Sequence, residues 1–232
     1  MSRLLTLGAP VGALLFTIAW AVLGAVSPGY RLFDLVIAPY SPISQPVSGL
    51  GLGVTGPWMN SAFVISGILV VLGAVGVSLA WPNAQLRRTV LVLTGLGGAG
   101  MILDGIFTLE SVMLHLLGFL LAAPVASVGF IVAAAALRRS WSRTSVALFV
   151  LGPLALVLFA VFMVIFDPYS AGNNAGVAGL VQRVLITVVL TGQSVLGFAA
   201  FAARREPARA VTPQRDSMTL PVSGSTGADV CS

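Results

Sequence analysis

Apolar residues fall into six long runs separated by short polar breaks: Leu4–Val26, Met59–Ala80, Thr89–Thr108, Val112–Leu137, Thr144–Phe166 and Gly179–Ala203. A hydrocarbon core about 30 Å thick needs roughly 20 apolar residues in helix, and each run reaches that length. Lipid leaves backbone polar groups unsatisfied unless the segment bonds internally, so the runs are read as transmembrane helices. The pattern predicts an all-α, polytopic membrane protein with six transmembrane helices in an antiparallel bundle, spanning 1–205. The remainder, 206–232, mixes Pro, Ser, Thr and Gly without an apolar period and reads as a disordered tail.

The breaks are unequal. Most are short enough for tight helical hairpins. The loop at 27–57 is long and carries Pro28, Pro39, Pro42, Pro46 and Pro57. Its first part, Arg31–Tyr40, is rich in large apolar side chains and reads as a short interfacial element. The prolines that follow, in YSPISQPVSGLGLG, exclude a regular helix.

Composition agrees: 57% of residues are hydrophobic and only 8% charged. The net charge of +5 does not indicate a nucleic-acid partner, because the arginines lie in loops between spans. One side of the bundle receives Arg3, Arg87, Arg88, Arg138, Arg139, Arg143, Arg204, Arg205, Arg209 and Arg215; the other receives only Arg31 and Arg183. By the positive-inside rule both termini are cytoplasmic, in the cell membrane. Tyr30, Tyr40, Trp58 and Tyr169 would form the outer aromatic belt, with Trp81 and Trp141 the inner one. The first run exceeds the 7–15 residues of a signal-peptide core, so it is expected to remain as a span. The lone Cys231 offers no intramolecular disulfide.

Three weak motifs, in order across the spans, are YSPISQPVSGLG at Tyr40–Gly51, GIFTLE at 105–110 with His115 following, and GLVQR at 179–183. Together they resemble the DUF998 family, six-span prokaryotic membrane proteins of unknown function, over about residues 10–203. The resemblance implies the fold rather than an activity. This chain departs near Gly49, where the family usually carries an acidic or amide residue.

Other apparent motifs have plainer readings. Gly95–Gly100 spells a dinucleotide fingerprint but lies inside a span, without the strand that motif requires. Small residues there, including the Gly95/Ala99 spacing, would let helices approach closely. Pro124 and Pro153 fall mid-span and are expected to kink their helices. One histidine and one nearby carboxylate are too few for a zinc or haem site, so neither metal nor cofactor is expected.

The six runs hold only three ionisable residues: Asp104, His115 and Arg183. Ionisable groups inside a membrane are functional candidates by default. A hairpin centred near Leu109–Glu110 puts Asp104 and His115 at equal depth, with Ser111 four residues before His115 on its helix face. Arg183, beside Gln182, enters the last span at similar depth. Three readings follow. The first is an outer-leaflet pocket for a lipid headgroup or small amphiphile, bound by Arg183, Gln182, Ser48, Ser44 and Ser111. The second is a non-catalytic scaffold, a partner subunit for a homo-oligomer or another membrane protein, or a small transporter. The third is a membrane-embedded hydrolase or transferase in which Asp104 orients His115 as general base. An Asp104–Arg183 ion pair tying the third and sixth spans together fits the same residues.

Overall fold

The computed structural model describes residues 2–82 and 86–203. The tail beyond Ala203, Cys231 included, lies outside the described residues. A short turn of helix, α1 (Ser2–Leu5), precedes α2 (Gly8–Val26). The connecting loop contains β1 (Tyr30–Leu32) and β2 (Leu35–Ile37), then two single-turn 3₁₀ segments at Val47–Gly51 and Gly53–Thr55. α3 (Gly56–Ala80), α4 (Arg87–Ile106), α5 (Val112–Leu120) and α6 (Ala126–Leu137) follow, then α7 (Ser142–Ile165), α8 (Pro168–Gly172) and α9 (Ala178–Ala203). Six helical stretches are long and apolar enough to cross a membrane, with α5 and α6 forming one of them. The protein is a multi-pass, all-α membrane protein.

Each span packs on the next in sequence, and α9 returns to α2, closing the bundle. Close approach depends on missing side chains. A Cβ on Gly98 of α4 would lie 2.6 Å from the Gly67 carbonyl of α3, and one on Gly67 would lie 2.6 Å from the Gly98 carbonyl. The Gly95/Ala99 spacing expected to make this contact does not: a Cβ on Gly95 meets nothing within 4 Å. The helix turns Gly97, Gly98 and Gly100 inward instead.

The prolines act differently from each other. At Pro124 the fourth span widens into a π turn, Leu121–Val125, between α5 and α6. That turn relieves the clash between the ring and the preceding carbonyls. α7 runs without interruption through Pro153.

The apolar start of the long loop, expected as a short interfacial element, is a two-stranded hairpin, with Tyr30 paired to Ile37 and Leu32 to Leu35 around Phe33–Asp34. Its pattern has period two: Tyr30, Leu32 and Ile37 are buried while Arg31 and Val36 face out. Tyr30 and Tyr40 are each only 7% exposed, so they belong to the core and not to an aromatic belt. Trp58 and Tyr169 are exposed as a belt requires. At the opposite end Trp81 and Trp141 meet edge to face, with ring centroids 6.0 Å apart.

Candidate functional site

The long loop folds back over the bundle and is fastened there by the start of α9. The first amides of a helix have no partners within it. Here Leu180 N–H donates to the Ile43 carbonyl at 2.8 Å and Gly179 N–H to the Ser44 carbonyl at 3.3 Å. One turn on, Arg183 is 6% exposed and faces the interior. Its Nη1 donates to the carbonyls of Pro42 (2.6 Å), Gln45 (2.9 Å) and Gly179 (3.0 Å). Its Nη2 donates to the Tyr40 hydroxyl, which in turn donates to the Pro46 carbonyl at 3.1 Å. The guanidinium also lies 5.4 Å from the Trp20 ring centroid and 5.7 Å from that of Tyr40.

The expected Asp104–Arg183 ion pair is not formed, and among the described residues Arg183 has no carboxylate partner. Carbonyl dipoles and aromatic faces surround the charge instead. Pro42 and Pro46 hold the loop out of helix, which leaves its carbonyls free to meet Arg183. Gln182 completes the fastening, its Oε1 accepting from Val47 N–H at 2.7 Å.

His115 sits one turn into α5 and is 7% exposed. Its Nδ1 is 2.8 Å from the Phe107 carbonyl, and its Nε2 is 2.9 Å from Ser48 Oγ. A carbonyl only accepts, so in the neutral ring Nδ1 carries the hydrogen and Nε2 accepts from the Ser48 hydroxyl. The Phe107 carbonyl is free for this role because α4 ends at Ile106.

Asp104 and His115 are neighbours as the hairpin predicts, with Oδ1 3.5 Å from Nδ1. The ring is nevertheless oriented by the Phe107 carbonyl, whereas the sequence pointed to Asp104. Asp104 is 4% exposed and its Oδ1 has no hydrogen-bond partner. It fits only because position 118, one turn beyond His115 on the same face, is glycine: a Cβ there would collide with Oδ1.

Two cavities meet at Ser48. The larger, about 370 Å³, is a mostly apolar groove between the hairpin, α5 and the end of α7, walled by Leu32, Leu116, Phe162 and Phe166. Ser48, His115 and Gln182 form its polar floor. The smaller, about 40 Å³, lies deeper and is bordered by Ser48, Gln182 and Asp104 among aromatic and aliphatic side chains. Ser48 and Gln182 border both cavities.

The structure thus brings Asp104, His115, Ser48 and Gln182 together, with Arg183 holding the loop that carries Ser48. Ser44 turns away to Asn174 Oδ1, at 3.4 Å. Ser111 is exposed, and its carbonyl caps the His115 amide. Sequence reasoning passed over Tyr40 and Trp20 as partners of Arg183, and Gln45 and Asn174, whose side chains bond at 2.6 Å. At Gly49 itself a Cβ would meet the Tyr30 ring at 2.5–2.6 Å, so a larger residue there would require the ring to shift.

Outside the membrane core, Tyr30, Tyr40 and Asp167 at this end respond to their surroundings. Burial raises the Tyr30 and Tyr40 phenols above the ordinary tyrosine range, and Arg183 partly offsets this at Tyr40. Asp167 caps α8, accepting from Ser170 N–H at 2.9 Å, and its bonds with Ser170 hold the carboxyl below the usual range.

The family model described as "Protein of unknown function (DUF998)" matches residues 10–199, and the chain belongs to that family. No curated protein and no solved structure matches it.

Proposed function

We propose that this member of the DUF998 family binds a membrane lipid or small amphiphile, with an acyl chain in the groove and a polar group over Ser48, His115 and Gln182. The observation that carries this reading is the groove itself. It is lined mainly by apolar side chains, has Ser48, His115 and Gln182 as its buried polar groups, and is of a volume typical of small-molecule sites. A bilayer lipid packed against an ordinary helix face needs no buried imidazole beneath it. The floor supplies hydroxyl, imidazole and amide groups but no free cation, because Arg183 is committed to the loop. The polar group is therefore an ester, alcohol or amide rather than a phosphate.

We also place the protein in the cell membrane with both termini cytoplasmic. Arg3, Arg87, Arg88, Arg138, Arg139 and Arg143 lie at the end of the bundle opposite the groove, so the groove would open in the outer leaflet.

Native mass spectrometry of the chain in detergent tests the binding. Delipidated protein incubated with a monoalkylglycerol ether, which has no ester to cleave, should retain one molecule per chain, and Leu116→Trp, which fills the groove, should abolish retention while the chain stays folded. Equal retention by both proteins would refute the reading.

A further inference from the structure

We propose that Ser48 is a nucleophile, activated by His115, that accepts an acyl group from an ester-bearing amphiphile lying in the groove. This deepens the binding reading and rests on it. The geometry carries the inference. Ser48 Oγ lies 2.9 Å from Nε2, and the 2.8 Å bond from Nδ1 to the Phe107 carbonyl leaves Nε2 as the acceptor in the neutral ring. Nucleophile, base and orienting group thus stand in the order that covalent acyl transfer requires. Ser48 is only 8% exposed, yet it borders the groove that would hold the ester.

Two further groups are placed for the same step. Gln182 Oε1 is fixed by the Val47 amide, so its NH₂ group is the free donor bordering both cavities. It is positioned to meet a developing oxyanion. Asp104, buried and with Oδ1 unpartnered, lies 3.5 Å from Nδ1, where a carboxylate would balance an imidazolium. Phe107 and Asp104 act through His115 and are positioning residues.

The step is as follows. Ser48 Oγ adds to the ester carbonyl carbon while its proton passes to Nε2. Collapse breaks the bond to the leaving oxygen, which takes the proton from Nε2 and departs as an alcohol. The acyl group stays on Ser48 as an ester. Water then adds to that ester, giving its proton to Nε2, and the fatty acid leaves as Ser48 Oγ recovers a proton. The small cavity beside Ser48, about 40 Å³, has room for one water.

The experiment treats the full chain in detergent with an alkyl fluorophosphonate and maps the adduct by peptide mass spectrometry. One adduct per chain is expected, on Ser48, prevented by heat denaturation or by excess monoacylglycerol. His115→Gln should slow labelling by roughly a hundredfold or more. Diethyl pyrocarbonate on the wild-type chain should do the same, since His115 is its sole histidine, and this arm needs no variant to fold. Absence of an adduct on Ser48, or labelling indifferent to His115, overturns the inference. If the monoalkylglycerol ether is still retained in that case, the binding reading stands alone. If retention is also lost, both fall.

Discussion

Replacing Arg183 by methionine keeps the stem and removes the guanidinium that ties the long loop to α9. The carbonyls of Pro42 and Gln45 lose the bonds it donates, and the Tyr40 hydroxyl loses its donor. Each stranded buried acceptor costs about 1–3 kcal/mol. The three together come to about 3–9 kcal/mol, and no longer burying a charge offsets part of this, leaving a loss of about 3–5 kcal/mol, similar to breaking other buried charge pairings. At roughly 2–4 °C per kcal/mol for a chain of this size, the melting midpoint in detergent should fall by roughly 6–20 °C. Amide exchange should accelerate at Val47, Gly179 and Leu180, whose N–H groups bond across the same seam. A double-mutant cycle separates partners from bystanders. Arg183→Met and Tyr40→Phe should couple, whereas Arg183→Met and Asp104→Asn should add to within about 0.5 kcal/mol. A midpoint within 2 °C of wild type, or strong coupling to Asp104, would refute the arrangement.

Three further outcomes are expected. Gly98→Ala should destabilise the bundle by about 1–3 kcal/mol through its contact with Gly67, while Gly95→Ala should be neutral or stabilise by up to about 1 kcal/mol; thermal melts that rank the two the other way would contradict the packing. The folded state holds the Tyr30 and Tyr40 protons more tightly than the unfolded chain, so their contribution is complete below about pH 10 and lost as pH rises above it. Melting against pH should show that loss, and Tyr30→Phe should reduce it. In a Cys231→Ser background, an impermeant thiol reagent applied outside cells should label Asn173→Cys and spare Ser140→Cys, and the reverse pattern would invert the proposed orientation.

The spans were legible because one physical quantity, apolar length, decides them, and the observed ends differ from the read ones by a few residues. The Asp104–His115 pairing was legible for a related reason: a tight hairpin fixes depth, and depth follows from residue count. The partners of Arg183 were not. A cation in a span invites a search for an anion, and carbonyls freed by Pro42 and Pro46 leave no mark in side-chain identity. The role of Phe107 was hidden likewise, since it is a backbone atom released by a helix end. Position at a span boundary points Tyr40 to an aromatic belt, because aromatic residues there usually form one. Its burial depends on the loop folding inward, which no local pattern records. Nor did the apolar spans suggest a polar contact deep in the bundle, yet Gln193 Nε2 donates to the Thr94 carbonyl at 3.1 Å.

The central claim, that the groove between the hairpin, α5 and α7 holds an amphiphile, is tested most directly by photo-crosslinking. A monoalkylglycerol ether with a diazirine near the end of its alkyl chain would be added to the protein in nanodiscs, irradiated, and its attachment points mapped by mass spectrometry. The account predicts saturable crosslinks concentrated at Leu116, Phe162 and Phe166. Crosslinks spread without saturation over lipid-facing positions such as Leu14, Val146 and Val164 would contradict it.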